Sequence, residues 1–253
     1  MKGHRLFIFI LAVGVFGILN TEMGVIGLLP YVSAYFSVSI SEAGALVSLF
    51  ALIVAVSGPV MPLLMSRFER KKAMLFVLAV FIAGNVISAV TDSFAILLAA
   101  RVIPAFFHPV YCALAFSAAA EAVPQEYAPD AVGKVMVGVA AGMVLGVPVS
   151  NFLADAVSLQ AAFAFFTAVT AAAFFATLFC IPSMPAGPKR TYGEQIGILR
   201  RPAVWMSIFA IVFMNGALFG VFTYLAEYLG VVTALSGGAV SLFLFVYGLS
   251  NSA

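Results

Sequence analysis

Three ionisable side chains interrupt long apolar stretches of the sequence and have the chemistry to bind protons: Glu22, Arg101 and His108. A carboxyl group in an apolar surrounding favours its protonated form, whereas a nearby guanidinium favours the ionised one. His108 follows Arg101 by seven residues, so both side chains lie on one helix face. We predict that Glu22 and Arg101 form an ion pair or two members of one proton relay, and that His108 carries protons too.

Each of these residues also has a structural interpretation that stays open at this point. Glu22 could reach the water interface through helix tilt, and Arg101 could extend its long side chain outward. His108 could equally be a packed, hydrogen-bonded histidine.

Four further residues are candidates for contact with a small-molecule substrate: Asn20, Phe107, Tyr111 and Asn215. Phe107 and Tyr111 lie close to His108 in sequence, and Asn20 lies two residues before Glu22. Aromatic side chains in membrane helices more often serve packing, which is the alternative for Phe107 and Tyr111.

A glycine pattern marks a close helix contact. Gly138, Gly142 and Gly146 recur at every fourth position, and Pro148 follows them. Small residues at this spacing let another helix approach closely, and proline removes a backbone hydrogen-bond donor and allows a bend. We predict a hinge or seal between helical bundles, with ordinary close packing as an overlapping alternative.

The elements that position these residues follow from composition. The 253 residues are 64% hydrophobic and 9% charged, and the mean hydropathy is +1.17. Soluble domains carry about 25% charged residues, so a soluble enzyme, a nucleic-acid binder, a disordered protein and a disulfide scaffold are excluded.

A membrane span needs about 20 mostly apolar residues, and without a closed barrel it must be helical. We predict an all-α membrane protein with spans at Leu6–Tyr31, Ala43–Met65, Ala73–Thr91, Phe94–Ala120, Val132–Ala154, Gln160–Ile181, Ala203–Tyr228 and Gly237–Ala253.

The positive charges predict the topology. Eleven of the twelve Lys and Arg residues lie in or near alternate connections, and the twelfth, Arg101, lies inside span 4. By the positive-inside rule, the N-terminus is cytoplasmic in the inner or plasma membrane. The Pro- and Arg-containing stretch after span 6 predicts a bundle at 1–181, a cytoplasmic linker at 182–202, and two further helices at 203–253.

An internal repeat relates the first two spans to the last two. A shift of 193 residues gives eleven identities between 16–60 and 209–253, including Tyr31 with Tyr224 and Tyr35 with Tyr228. Both copies start on one side of the membrane, as in the parallel halves of rocking transporters. Two complete units would need about 386 residues, so we expect a truncated form of a twelve-span protein.

Several motifs resemble those of the major facilitator superfamily, in particular its twelve-span drug:proton antiporter branch. Thr21-Glu22-Met23 with Gly27-Leu28-Leu29-Pro30 resembles the first-helix signature, Arg101 the fourth-helix arginine motif, and the Gly138–Pro148 stretch the antiporter motif. The basic loop of the family corresponds to Arg67, Glu69, Arg70 and Lys71. The usual Gly, Asp and Gly of that loop are replaced by Pro62, Ser66 and Glu69, so the interdomain charge contact that the motif implies lacks its acid.

The resemblance implies proton-coupled efflux of a drug, sugar or metabolite by alternating access, with the basic-loop residues and the glycine motif in gating. Alternatives are a facilitator or uptake permease of the same fold, and a truncated membrane fragment that does not transport. We expect a monomer in the lipid bilayer that binds protons and a small-molecule substrate, and no enzyme activity, cofactor, metal or nucleic-acid partner.

Overall fold

The computed structural model describes residues 2–185 and parts of the chain beyond them: 202–206, 209–210, 212–214, 216–217, 233, 243 and 246. The chain divides into two compact units, Met1–Gly187 and Pro188–Ala253. Residues 2–185 contain helices and no strand, and six helical segments are long and apolar enough to cross a membrane. This confirms the predicted all-α membrane fold for the first six spans.

Seven α-helices and one short 3-10 helix form the first unit: α1 (Lys2–Phe36), α2 (Ile40–Ser57), α3 (Met61–Met65), α4 (Arg70–Val90), α5 (Phe94–Glu121), the 3-10 helix Gln125–Tyr127, α6 (Ala128–Ala156) and α7 (Leu159–Cys180). Local chemistry sets several of these ends. Ser39 begins α2 in a capping box with Glu42, in which each side chain accepts a hydrogen bond from the backbone of the other residue. The side chain of Ser158 caps α7 by accepting from the backbone nitrogen of Ala161.

The second predicted span was wrong at its end. We expected one helix over Ala43–Met65, but α2 stops at Ser57 and the separate short helix α3 covers Met61–Met65. Pro59 lies in the intervening turn and Pro62 lies in the first turn of α3. Proline lacks the backbone donor of a helix interior and disfavours helical geometry in the preceding residue, so the two prolines divide the apolar run.

Helix α1 is the central element of the bundle, and it packs most extensively against α6. It also contacts α7, α2 and α5, while α4 packs against α7 and α5. Two groups of buried apolar residues fill the unit, one around Leu11, Val15 and Tyr111 and the other around Leu28, Leu46 and Phe166. The polar residues of the middle of α1 lie between these groups along the helix.

The described residues 202–206, 209–210, 212–214 and 216–217 of the second unit are helical. They lie within or next to the seventh predicted span, Ala203–Tyr228. Most of the remainder of that span and of Gly237–Ala253 lies outside the described residues, as does Asn215. The proposed repeat, the linker and the domain boundaries therefore stay predictions.

Candidate functional site

A carboxylate and an imidazole meet in the interior of the first unit. Oε2 of Glu22, on α1, lies 3.1 Å from Nε2 of His108, on α5. The Glu22 side chain is 18% exposed and that of His108 is 11% exposed. The two atoms are within ion-pair distance, but their geometry does not meet the criteria of a hydrogen bond. The contact is therefore an electrostatic one whose strength depends on whether His108 carries a proton.

Arg101 lies close to this pair but is held by other groups. Its Nη2 donates to the main-chain oxygen of Thr21 at 3.0 Å, and its Cζ lies 5.3 Å from the ring centroid of Phe50. The residue is only 3% exposed. Of the two predicted arrangements of Glu22 and Arg101, the ion pair is not formed in the structure, and the shared proton relay stays a prediction. Arg101 remains within electrostatic range of Glu22. His108 takes the place beside the carboxylate, because the main-chain oxygen and the aromatic ring hold the guanidinium elsewhere.

Thr21 connects this site to α4. Its Oγ1 donates to the main-chain oxygen of Gly17 at 2.9 Å and accepts from Nδ2 of Asn85 at 3.3 Å. Thr21 and Asn85 are both almost completely buried. Asn85 was not among the residues predicted for the site, although a lone amide within the apolar run of α4 was a detectable signal.

Two buried phenylalanines surround His108, and the sequence reasoning missed both. The ring of Phe50, on α2, lies edge-on to the imidazole with centroids 6.0 Å apart. Phe81, on α4, lies 6.5 Å from the same ring in a tilted arrangement. Phenylalanine is common in this chain, so type and spacing alone did not distinguish these two residues.

The predicted substrate residues have different surroundings. Asn20 is completely buried, and neither atom of its amide has a hydrogen-bond partner in the described part of the chain. Tyr111 is also completely buried, and its hydroxyl lies so close to Gly14 that a Cβ there would be 1.7 Å away. Phe107 is partly exposed and packs edge-on against Phe76, with centroids 5.1 Å apart. Asn20 and Tyr111 are closed off from solvent in this structure, and contact with a substrate stays a prediction.

The basic loop forms contacts at the start of α4. Arg70 pairs with Glu121 at the end of α5 through two hydrogen bonds of 2.6 and 3.2 Å. Glu69 accepts from the hydroxyl of Ser183 at 3.0 Å and from the backbone nitrogen of Met184 at 3.3 Å. Arg70 thus joins the start of α4 to the end of α5, and Glu69 joins it to the segment that follows α7. Of the other motif residues, Arg67 is exposed and Lys71 is partly exposed.

The glycine motif of α6 faces α1. A Cβ at Gly138 would lie 2.2 Å from the main-chain oxygen of Ala12, and one at Gly142 would lie 2.7 Å from Cβ of Leu19. A Cβ at Gly146 would lie 3.1 Å from the backbone nitrogen of Gly24. The glycines thus form the close helix packing that was the alternative interpretation, within the first unit, and the predicted hinge or seal between bundles stays a prediction. Pro148 lies on the exposed side of α6, which continues through it to Ala156.

The arrangement of six apolar helices agrees with a comparison to known proteins. The family description Major Facilitator Superfamily matches residues 11–253 of the chain. The chain belongs to the major facilitator superfamily. This confirms the resemblance that the sequence motifs indicated.

Relatives from this superfamily match almost the whole chain. It is 34% identical over 241 residues to the uncharacterized MFS-type transporter YtbD of Bacillus subtilis (strain 168), covering 95% of this chain and 61% of YtbD. It is 30% identical over 242 residues to the inner membrane transport protein YdhP of Escherichia coli (strain K12), covering 96% and 62%. A probable sugar efflux transporter of Helicobacter pylori (strain G27) is 24% identical over 249 residues, covering 98% and 63%.

Solved structures share the superfamily fold. A bacterial homologue of the human lysosomal transporter Spinster, in an inward-facing and unoccupied conformation, matches with a TM-score of 0.71 at 19% identity. The match covers 99% of this chain and 60% of that one. The chain thus spans about three-fifths of the length of the curated relatives that it matches.

Proposed function

We propose that this major facilitator protein is a secondary transporter that exports a small molecule in exchange for protons, and that Glu22 and His108 form its proton-binding pair. The observation that carries the proposal is the 3.1 Å contact between the two side chains in the interior of the bundle. Ionisable groups inside membrane spans are costly, and those that occur there usually serve transport or proton relays.

The pair supplies a simple coupling step. When His108 is protonated, its positive charge and the Glu22 carboxylate attract each other strongly, because little water screens them in the bundle interior. A movement that separates α1 from α5 removes this attraction and favours release of the proton from His108. Proton binding thereby favours the conformation in which the two helices are packed together, and release favours the other. Arg101 keeps a permanent positive charge near the site throughout the cycle.

The substrate in this proposal is a drug, a sugar or another small metabolite. Support for a sugar comes from the Helicobacter pylori relatives, which are named probable sugar efflux transporters. Asn20, Phe107, Tyr111 and Asn215 stay the proposed contacts for the substrate. We further propose that the basic loop with Arg67, Glu69, Arg70 and Lys71 takes part in gating.

The test is transport by the purified chain in proteoliposomes with an imposed pH gradient, with radiolabelled sugars as the first substrates. We expect Glu22→Gln and His108→Gln to lose gradient-driven transport while the exposed control Glu126→Gln keeps it. Retention of gradient-driven transport in both site variants would contradict the assigned pair.

The same assay separates the alternative functions. Substrate flux that does not depend on the pH gradient would indicate a facilitator. Accumulation of the substrate in the same direction as the flow of protons would indicate an uptake permease. Absence of transport by this chain, with transport by full-length YdhP in parallel vesicles, would indicate a membrane protein without transport activity of its own.

A further inference from the structure

Phe50 touches both basic residues of the site. It lies on α2, is 3% exposed, and places its ring 5.3 Å from Cζ of Arg101. The same ring lies edge-on to His108, with centroids 6.0 Å apart and an interplanar angle of 79°. Phe50 is therefore a residue of α2 that contacts both Arg101 and His108 beside Glu22.

Arg101 is held in the site by two groups, the ring of Phe50 and a main-chain oxygen. A guanidinium close to an aromatic ring is attracted by the negative charge of the ring face, and the attraction is stronger where water is excluded. Thr21 adds a second attachment, because its main-chain oxygen accepts from Nη2 of Arg101 at 3.0 Å. The ring and the carbonyl oxygen together hold the guanidinium beside α2 and α1, although its Nε has no hydrogen-bond partner in the described part of the chain.

The identity of the partner of Glu22 decides what the pair can do. A guanidinium keeps its charge at every physiological pH, so a carboxylate paired with it stays ionised and does not exchange protons readily. An imidazole changes its charge near neutral pH, so a carboxylate–imidazole pair can be made and broken by one proton.

We propose that Phe50 is a positioning residue that holds Arg101 away from Glu22 and thereby reserves the carboxylate for His108. The role of Phe50 in transport rests on the proposed function. The positioning itself is a property of the site that can be measured without transport.

Within residues 2–185, few charged side chains lie near Glu22. Titratable side chains near it on α5 are His108, Arg101, Tyr111 and Cys112. The helices α2, α4 and α6 carry their charged residues only near their ends, and α7 carries none: Glu42 on α2, Arg70, Lys71 and Lys72 on α4, and Asp130, Lys134 and Asp155 on α6. A change in the protonation of Glu22 on loss of the Phe50 ring thus reports mainly on Arg101 and His108.

The test measures the protonation of Glu22 directly by infrared spectroscopy of the purified full chain across a pH series. The carboxyl band that disappears in Glu22→Gln identifies the residue. In Phe50→Met, which removes the ring but keeps much of the volume, we expect Arg101 to turn towards Glu22. The band should then appear only at a proton concentration about tenfold higher or more, because a guanidinium stabilises the ionised carboxylate.

Two matched variants decide the interpretation. Phe81→Met removes the other ring beside His108, whose described contact is with the imidazole rather than the guanidinium, and we expect no such shift. In the double variant Phe50→Met with Arg101→Gln, the shift caused by Phe50→Met should be absent, since no guanidinium remains to move.

An unchanged band in Phe50→Met, an equal shift in Phe81→Met, or a shift that persists without Arg101 would each overturn the proposal. If the double variant does not fold, the comparison of the two phenylalanine variants still decides it. The transport experiments could fail while Phe50→Met still shifts the infrared band of Glu22. That result would refute the proposed function but not the positioning role of Phe50.

Discussion

Thr21 joins three helices through its two oxygen atoms. Its hydroxyl accepts from Asn85 on α4, and its main-chain oxygen accepts from Arg101 on α5, while Thr21 itself belongs to α1. All three residues are nearly completely buried. Because buried polar groups need hydrogen-bond partners, this one residue determines where two polar side chains lie.

We predict that Thr21→Val destabilises the protein by about 1–3 kcal/mol, because it leaves the buried amide of Asn85 without its acceptor. The change keeps the side-chain shape and the main-chain oxygen that Arg101 uses. The measurement is the free energy of unfolding in detergent micelles.

A double-mutant cycle provides the control for this prediction. Adding Asn85→Leu should recover part of the loss, because the unpaired amide is then removed. Strictly additive effects of the two substitutions would show that the Thr21–Asn85 hydrogen bond does not contribute.

At the level of helices, the contact between α1 and α6 depends on the absence of side chains. Gly138 and Gly142 bring α6 against the main chain of α1, and Ser150 donates to the main-chain oxygen of Gly24 at 2.7 Å. Close packing of this kind stabilises helices in a bilayer, where apolar side chains gain little from leaving the lipid. The glycine motif therefore holds the helix that carries Glu22.

We predict that Gly138→Ala weakens the α1–α6 contact by about 1–3 kcal/mol, because the added Cβ would lie 2.2 Å from a main-chain oxygen of Ala12. Gly133→Ala, on the same helix, is the matched control, since no atom lies within 4 Å of its added Cβ. That change should be neutral or stabilising by less than about 1 kcal/mol, because alanine favours helices over glycine. Thermal unfolding of the two variants in the same detergent compares them, and equal melting temperatures would contradict the assigned contact.

On the scale of the whole first unit, the charged loop joins the start of α4 to the segment that follows α7. Glu69 and Arg70 start α4, and the residues that follow α7 return to them through Ser183 and Met184. The backbone nitrogen of Arg70 donates to the main-chain oxygen of Met184 at 3.2 Å. The side chain of Glu69 thus anchors the segment that follows α7. This position usually holds glycine in the family loop.

We predict that Glu69→Ala releases this segment, because the backbone nitrogen of Met184 and the hydroxyl of Ser183 lose their acceptor. Hydrogen exchange at the Met184 amide should become about tenfold faster, which corresponds to the loss of one hydrogen bond to a charged group. Lys72→Ala serves as the control, because it removes only an exposed ion pair to Glu69 of 3.6 Å, and it should leave the exchange unchanged. An equal increase in both variants would contradict the anchor.

The positions of six membrane helices and of the glycine contact could be predicted from sequence, because both depend on local patterns. Helix length follows from the thickness of the bilayer, and a small residue at every fourth position forms one face. The end of α2 was missed because hydropathy outweighed Pro59 and Pro62 in that prediction. The partner of Glu22 was also missed, since Arg101 and His108 share one helix face and both were plausible.

The sequence by itself determined that this chain crosses a membrane, which helices contain its rare buried charges, and to which superfamily it belongs. Those properties depend on apolar length and on motifs that are contiguous along the chain. Only the tertiary structure decided that Glu22 meets His108 while Arg101 meets Phe50 and Thr21. That choice depends on groups from three different helices, whose rotation and separation are set by packing between residues distant in the sequence.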